Sequence, residues 1–180
     1  MTIKLLIPGL WNSKPEHWQS YWEKLPGFQR VNQRDWDTPR CEEWIAELDR
    51  VVVSLHFDVI LVAHSLGCVT VAHWSRTYPD HAKRIKGALL VAPSDVEAPS
   101  FPIGSTGFLP MPLERLPFHS TVVCSSNDVW VREERAELFA KSWGSDLSVI
   151  DKAGHIGDAS GLGMWPDGMK FVVQLEQASA

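Results

Sequence analysis

The chain has 180 residues and a formal net charge of −5, with 44% hydrophobic and 22% charged residues. This length suffices for a domain with a buried core, so we expect residues 1–180 to form a single domain. The acidic balance and the lack of a long Lys or Arg run argue against a nucleic-acid partner, which would be bound through its phosphates. No stretch approaches the roughly 18 apolar residues of a membrane span, so no membrane partner is expected.

The three cysteines, Cys41, Cys68 and Cys124, form no CxxC pair and leave one thiol over in any disulfide scheme. We interpret them as reduced thiols of a cytoplasmic protein. The apolar run over residues 3–7 is too short for a signal-peptide core, and no small-residue cleavage site follows it. No metal-ligand cluster and no phosphate-binding loop occur, so neither a metal nor a cofactor is expected.

In chain order, the first half predicts three strands and three helices. Short apolar runs predict strands over residues 3–7, 28–32 and 59–63. Pro15 in a first turn predicts a helix over 16–25, and an apolar period of 3.6 residues predicts another over 42–55. A third helix is expected to begin near Leu66 and to end near residue 78.

The second half continues the alternation. Strands are predicted over 85–92, 120–125 and 146–150, and helices over 133–143 and 165–177. Alternating strands and helices of this kind indicate an α/β protein, a three-layer α/β/α sandwich around a mainly parallel sheet of about six strands.

The segment 97–117 interrupts this pattern with five prolines and no periodicity. We predict a proline-rich loop that forms a partial lid, since the segment is too short for a separate domain. Its inner face is expected to carry the apolar residues Phe101, Phe108, Leu109 and Met111.

The junction of the third strand and the third helix holds Ala63-His64-Ser65-Leu66-Gly67. Small residues two places either side of a serine are the layout of a nucleophile elbow, G-x-S-x-G, here with Ala in place of the first Gly. Such a turn strains the serine backbone and aims the hydroxyl out of the sheet. The alternative interpretation is a serine that only caps the helix, and the motif alone does not decide between them.

Partners for Ser65 must follow strands, because right-handed crossovers bring all strand-to-helix loops to the carboxyl edge of the sheet. Among seven histidines, His155 alone follows a strand at this edge with a glycine beside it. Asp128 and Asp95 both follow strands. Asp128 is preferred because its strand should lie next to the strand that delivers His155, and Asp95 remains the alternative acid. The order Ser65, Asp128, His155 is the nucleophile–acid–base order of α/β-hydrolases.

Two further histidines receive no role in this prediction. His64 is the variable residue of the elbow and is expected to point away from the serine hydroxyl. His17 is near enough to the loop after the first strand to border the site, but we interpret it as a surface or packing residue.

The predicted roles follow from acyl-transfer chemistry. His155 would take the serine proton and return it to the leaving group, while Asp128 would fix the imidazole tautomer. The oxyanion would be bound by the backbone N–H groups of Leu66 and Leu10, with Trp11 as the next candidate after Leu10.

Three tryptophans are predicted to bind substrate. Trp11, Trp130 and Trp165 lie in a pocket-facing loop or close in sequence to a predicted catalytic residue. Packing in the core or at the rim is the alternative for each of them.

Several segments together resemble a known family: Ile7-Pro8-Gly9-Leu10-Trp11-Asn12-Ser13 with His17-Trp18-Gln19, the elbow, Val91-Ala92-Pro93, Ser126-Asn127-Asp128, and Ala153-Gly154-His155-Ile156 followed by Ser160-Gly161-Leu162-Gly163 and Trp165-Pro166. Nearly end to end, the chain resembles the small serine hydrolases related to retinoblastoma-binding protein nine, especially their bacterial YdeN-like relatives. The resemblance implies an α/β-hydrolase fold without a large cap domain, and the triad Ser65, Asp128 and His155. Relatives often have Asn where Gly157 stands and Pro where Val129 stands, so the pocket wall differs here.

We therefore expect a serine hydrolase of small carboxylic esters that works through an acyl-enzyme, with amides and thioesters as open alternatives. A non-catalytic protein-interaction module and an acyltransferase with the same triad are the other functions that the sequence allows. A small-molecule ester is the expected partner, while homo-oligomerisation and protein partners stay open.

Overall fold

The computed structural model describes residues 2–178, which form one six-stranded sheet with helices on both faces. The strands are β1 (Thr2–Ile7), β2 (Phe28–Arg30), β3 (Asp58–His64), β4 (Ile85–Val91), β5 (Ser120–Ser125) and β6 (Asp146–Ile150). Their order is β2-β1-β3-β4-β5-β6, and every neighbouring pair is parallel. The predicted parallel sheet of six strands is confirmed.

The helices are α1 (Trp18–Trp22), α2 (Cys41–Ser54), α3 (Leu66–Thr77), α4 (Pro79–Ala82), α5 (Glu133–Trp143) and α6 (Pro166–Gln177), with a 3₁₀ turn at Asp158–Ser160. Helix α1 begins two residues later than predicted, because His17 accepts a hydrogen bond from the Gln19 N–H and caps the helix there. It also ends earlier than predicted, at Trp22. Helix α3 ends at Thr77, and the proline at position 79 begins the separate short helix α4.

Two apolar layers enclose the sheet. Side chains of β1, β3, β4 and β5 alternate between them, since successive residues of a strand point to opposite faces. One layer holds α2, α3 and α5 with the buried indoles of Trp44, Trp74 and Trp143. The other holds α1 and α6 with Trp18, Trp22 and Trp165. This is the predicted three-layer α/β/α sandwich, and no cap domain is inserted within residues 2–178.

The proline-rich segment 97–117 contains neither a helix nor a strand, and its Thr106 makes an isolated parallel bridge with Arg40. Phe108 and Met111 are buried against the α2–α3 layer, and Phe101 packs on it half-buried. Leu109 is 62% exposed, so its predicted inward orientation is wrong. The inward positions on either side are already filled by Phe108 and Met111, which leaves Leu109 facing solvent.

The carboxyl ends of β3, β5 and β6 meet at one edge of the sheet, where the loops after them bring distant parts of the chain together. Within residues 2–178, no helix has the length and apolar character needed to cross a membrane.

Candidate active site

Ser65 occupies the turn between β3 and α3 in a strained conformation. Its backbone has φ 56° and ψ −123°, a region that costs a non-glycine residue about 1–3 kcal/mol. The Ser65 N–H donates to the Val91 carbonyl at 2.9 Å, which ties the turn to the neighbouring strand. The hydroxyl makes no capping hydrogen bond to α3, so the helix-cap interpretation of Ser65 is wrong.

Two glycines allow the end of β1 to pack against this turn. A Cβ on Gly67 would overlap the Ile7 carbonyl oxygen. A Cβ on Gly9 would lie 2.7 Å from the Ser65 Cβ and 3.0 Å from the Leu66 nitrogen. Because backbone atoms cannot move aside as a flexible side chain can, both positions exclude any larger residue.

The structure brings Ser65, His155 and Asp128 together in a line of hydrogen bonds. The Ser65 Oγ lies 2.8 Å from His155 Nε2, and His155 Nδ1 lies 2.8 Å from Asp128 Oδ2. The Asp128 side chain is fully buried, and its other oxygen accepts the Trp130 N–H at 2.8 Å. A buried carboxylate that accepts from His155 Nδ1 leaves Nε2 free to accept the serine proton.

Asp95, the alternative acid, contacts neither histidine nor serine of this line. Its two carboxylate oxygens accept hydrogen bonds from Arg135 Nε and Nη2 at 2.8 and 2.9 Å. This bidentate pair fixes the carboxylate toward α5. Asp128 is therefore the acid that His155 contacts.

The loop after β1 presents the second predicted oxyanion donor. The Trp11 N–H donates to the Trp36 carbonyl at 2.9 Å and is thus already used. Within residues 2–178, no hydrogen bond takes up the Leu10 N–H. Leu10 lines the cavity beside Ser65, and the Leu66 N–H lies in the first turn of α3, where backbone donors have no partner inside the helix.

Arg30, which sequence reasoning missed, holds this loop from β2. Its buried guanidinium donates to Asn12 Oδ1 at 2.8 Å and to the Ser13 carbonyl at 3.1 Å. Trp11 and Asn12 both have positive φ angles, 64° and 63°, which non-glycine residues seldom adopt. The arginine contacts thus fix a strained loop next to Leu10.

A cavity of about 380 Å³ opens above Ser65. Trp11 and Trp130 line it, together with Leu10, Phe101 and Pro102. The remaining wall is polar and includes Lys14, His17, His64, Asp158 and Ser160. Within residues 2–178, no three His, Cys, Asp or Glu side chains are grouped so that they could hold a metal ion.

Trp165 does not line the cavity, so that prediction is corrected. Its side chain is 4% exposed and packs against Trp18 and Trp22, with ring centroids 5.0 and 5.9 Å away. A Cβ on Gly168 would overlap the Trp165 indole, so this glycine makes room for it in α6. Between His155 and Trp165 the chain passes through the 3₁₀ turn at Asp158–Ser160, and the indole then packs on α1, so closeness in sequence did not bring it to the cavity.

A family model described as serine hydrolase matches residues 4–174. The chain belongs to the serine hydrolase family. The structure is similar to that of the YdeN-like hydrolase of Pectobacterium atrosepticum, with 29% identity, a TM-score of 0.85, and 99% of this chain and 92% of that chain covered. This match confirms the resemblance to the YdeN-like branch.

More distant structures share the fold. The ydeN gene product of B. subtilis has 19% identity and a TM-score of 0.76, with 98% of each chain covered. An esterase from Thermogutta terrifontis has 16% identity and a TM-score of 0.69, with 100% of this chain and 91% of that chain covered. Among curated proteins, no sequence matches this chain. The α/β-hydrolase fold is confirmed.

The loop that carries His155 in this serine hydrolase is strained and heavily anchored. Lys152, Gly154 and Ile156 have φ angles of 51°, 59° and 50°, and a β-branched residue such as isoleucine rarely adopts such a value. The Ala153 N–H donates to Ser125 Oγ at 2.9 Å, and the Gly154 N–H donates to Asn127 Oδ1 at 2.8 Å. Side chains at and just after the end of β5 thus hold the loop that follows β6.

Ser94 is a second hydroxyl of the hydrolase site that sequence reasoning missed. Its Oγ lies 2.8 Å from Ser65 Oγ, and the residue is 3% exposed. When the Ser65 O–H donates to His155 Nε2, the Ser94 O–H is the donor to Ser65 Oγ. Ser94 lies three residues after β4, at the same edge of the sheet as Ser65, and this position was the one indication in the sequence that it could lie near the site.

His17 and His64 of the hydrolase also border the site. His17 is a buried packing residue and not a surface residue, and it lines the cavity as well. The two residues are 2% and 6% exposed and line the cavity. His17 Nε2 lies 3.3 Å from His64 Nδ1, and His64 Nε2 lies 2.9 Å from the His155 carbonyl oxygen. The His64 ring contacts these two histidines, and none of its hydrogen bonds is to the Ser65 hydroxyl. The sequence holds no signal for this arrangement, since the N–H that caps at His17 is a backbone group that every residue except proline carries.

Burial lowers the pKa of both imidazoles. The pKa of His17 falls from 6.5 to about 4, chiefly through desolvation, and desolvation takes the pKa of His64 well below 6.5. Both side chains are therefore neutral near pH 7.

This shift predicts that the folded state loses stability in mild acid. Below pH 6.5 the unfolded chain binds protons at these histidines that the folded chain does not bind, so their contribution is complete above the unfolded pKa and is lost as the pH falls toward 4. The loss for His17 alone is about 3 kcal/mol in the free energy of unfolding. Urea unfolding at several pH values between about 7 and 4 measures it.

The His17→Gln variant is the control for this loss, because glutamine at position 17 does not titrate in the window while the other six histidines are the same in both proteins. Its free energy of unfolding should change less between pH 6.5 and 5, where few carboxylates titrate. Equal slopes for wild type and His17→Gln would contradict a neutral buried His17.

Proposed function

We propose that this serine hydrolase cleaves small carboxylic esters through an acyl-enzyme on Ser65. The observation that carries the proposal is the unbroken line of hydrogen bonds from buried Asp128 through His155 to Ser65 at the floor of the cavity. A serine hydroxyl is a weak nucleophile until a positioned base takes its proton, and this line supplies that base.

In the first half of the reaction, Ser65 Oγ attacks the ester carbonyl carbon while its proton moves to His155 Nε2. The carbonyl oxygen becomes an oxyanion, and the N–H groups of Leu66 and Leu10 bind it. Asp128 stabilises the imidazolium. Its carboxylate keeps its orientation because its other oxygen accepts a hydrogen bond from the Trp130 N–H. The tetrahedral species then collapses, the C–O bond to the alcohol breaks, and Nε2 returns the proton to the leaving oxygen.

In the second half, a water molecule repeats the sequence on the acyl-enzyme. His155 takes a proton from the water, the hydroxide oxygen bonds to the acyl carbon, and the Ser65 C–O bond breaks with proton return to Oγ. The products are one carboxylic acid and one alcohol for each ester consumed. The Ser94 hydroxyl donates to Ser65 Oγ in the resting state and orients its proton toward His155.

The size and lining of the cavity favour a short acyl group. A volume of about 380 Å³ is at the small end of ligand sites, and the apolar side chains of Leu10, Trp11, Phe101 and Trp130 form one wall. Each methylene buried on that wall contributes about 0.8 kcal/mol, but a chain longer than the cavity must leave methylenes in water.

A series of p-nitrophenyl esters from acetate to dodecanoate tests the proposal. We expect kcat/KM to rise about fourfold per methylene between acetate and butyrate, and to be at least tenfold lower for dodecanoate than at its maximum. The Phe101→Ala variant should move the maximum to a longer chain because it removes part of the wall. The Leu109→Ala variant is the matched control, since Leu109 is on the same segment but 62% exposed.

Two results would contradict this proposal. A rate that keeps rising to dodecanoate would indicate a long-chain lipase, and absence of turnover with all esters would exclude an esterase. Product analysis with an added alcohol separates hydrolysis from acyl transfer, because transfer yields a new ester in place of the free acid.

A further inference from the structure

His17 and His64 form a chain of hydrogen bonds with a single direction. The Gln19 N–H donates to His17 Nδ1 at 3.0 Å, so Nδ1 carries no proton and Nε2 of the neutral ring does. His17 Nε2–H then donates to His64 Nδ1 at 3.3 Å. The remaining proton of neutral His64 is on Nε2, which donates to the His155 carbonyl at 2.9 Å. Every tautomer in the chain is therefore set by a backbone N–H at the start of α1.

This chain of hydrogen bonds ends on the backbone of His155, whose side chain lies between Ser65 and Asp128. The next carbonyl, that of Ile156, accepts a hydrogen bond from Trp18 Nε1 at 2.8 Å. Two consecutive backbone carbonyls of the strained loop are thus held by side chains. Trp18 at the start of α1 holds the Ile156 carbonyl, and His64, which is bonded to His17 just before α1, holds the His155 carbonyl. The anchors that come from the end of β5 and the residues after it hold the beginning of the loop, at Ala153 and Gly154.

We propose that His17 and His64 are positioning residues, a link of two neutral imidazoles that keeps His155 in reach of both Ser65 and Asp128. This inference rests on the proposed function, because it assigns the pair a part in the same site. Without the bond from His64, the peptide group between His155 and Ile156 would be held only on its N–H side, where the Ile156 N–H donates to the Ala153 carbonyl at 3.2 Å. It lies between two residues of positive φ, Gly154 and Ile156, and the loss of its carbonyl anchor allows it to rotate. Rotation there swings the imidazole, and a displacement of about 1 Å at a reacting group can cost about 100-fold in rate.

A charge on the link would break it. Protonated His64 would carry a hydrogen on Nδ1 that faces His17 Nε2–H, and protonated His17 would carry one on Nδ1 that faces the Gln19 N–H. The charged groups around the pair are Asp158 and Arg30, and His155 is the titratable group beside it. Both rings are buried, and Gly157 lies next to them. A Cβ added to Gly157 would be 3.6 Å from His64 Cε1 and 3.8 Å from His17 Cδ2.

The test compares His64→Leu, His64→Gln and His73→Leu in the full chain. Leucine removes the donor to the His155 carbonyl, whereas the Gln amide can replace it. His73 is the matched control, because it is 4% exposed and its Nε2 lies 3.0 Å from the Phe108 carbonyl, outside the cavity lining. Thermal unfolding establishes that each variant is folded.

We expect His64→Leu to lower kcat on p-nitrophenyl butyrate by roughly 10- to 100-fold with KM changed less than about threefold. His64→Gln should recover most of this loss, and His73→Leu should keep the wild-type kcat even where its melting temperature falls. Wild-type kcat in folded His64→Leu, or an equal loss in His73→Leu, would overturn the proposal.

Nitrogen-15 NMR of the histidine rings provides a second readout that does not depend on turnover. In the wild-type protein, both His17 and His64 should carry their proton on Nε2 near pH 7. In His64→Leu, the His155 Nδ1 proton should exchange faster with solvent than in wild type. A proton on Nδ1 of His64, or unchanged exchange in the folded variant, would overturn the link, whereas wild-type protein with these tautomers but no ester turnover would overturn the proposed function alone.

Discussion

Replacing Ser65 with alanine should abolish covalent labelling by a fluorophosphonate probe and lower kcat on p-nitrophenyl butyrate by about 10⁶-fold. The probe reacts with an activated serine, and Ser65 Oγ is the hydroxyl that lies 2.8 Å from His155 Nε2. Alanine fits the position, since it removes only the hydroxyl and keeps the Cβ that packs against Gly9. Gel fluorescence and mass spectrometry of the labelled peptide measure the first effect, and steady-state kinetics measures the second.

The Ser94→Ala variant is the control, because its hydroxyl is buried only 2.8 Å from that of Ser65 and is the nearest rival nucleophile. It should still be labelled on Ser65, with kcat lowered only several-fold, since one hydrogen bond contributes about 1 kcal/mol. Labelling that survives Ser65→Ala and disappears in Ser94→Ala would transfer the nucleophile to Ser94. Labelling that survives both substitutions would exclude this site.

The sheet could be predicted from the sequence because its strands are buried on both faces. Runs such as 59–63 and 87–91 are apolar without alternation, which is typical of parallel strands covered by helices on each side. The boundaries of α1 were harder to predict. The bond from the Gln19 N–H to His17 Nδ1, which caps this helix, involves a side chain that is seldom found at a helix N-cap.

Chain order and sheet edge were sufficient to select Ser65, Asp128 and His155 as neighbours, because topology alone carries strand ends to one edge. They do not determine the direction in which a loop leaves that edge. Trp165 follows His155 by ten positions, yet its indole packs against Trp18 and Trp22 and does not line the cavity. Ser94 lies at the edge but was not chosen, since nothing in the sequence distinguishes a serine that contacts a hydroxyl from one that ends a turn.

The buried histidines show a second limit. His17 and His64 are 47 positions apart, and their pairing depends on a close approach of α1 to the elbow that no periodicity encodes. Arg30 presents the same difficulty, since an arginine on a short edge strand is ordinarily solvated, whereas this side chain is only 8% exposed. Hydrogen bonds between buried polar side chains that are far apart in the sequence cannot be predicted before the fold is known.

Replacing Asp128 with asparagine should lower kcat on p-nitrophenyl butyrate by about 10⁴-fold while the fold is retained. The Trp130 N–H donates to Asp128 Oδ1, so the amide oxygen of asparagine must take that place and the amide NH₂ must face His155 Nδ1. A donor there forces the imidazole proton onto Nε2. The nitrogen that should accept the Ser65 proton is then already protonated, and the hydroxyl is not activated.

Asp95→Asn is the matched control for this substitution, because it makes the same chemical change on the other aspartate that follows a strand. It should keep wild-type kcat and lose stability by about 2 kcal/mol, since it weakens the bidentate contact with Arg135. Steady-state kinetics and urea unfolding of both variants separate the two effects. If Asp95→Asn lost the activity and Asp128→Asn retained it, the acid of the site would be Asp95, and the line of hydrogen bonds through Asp128 would not be the one used in catalysis.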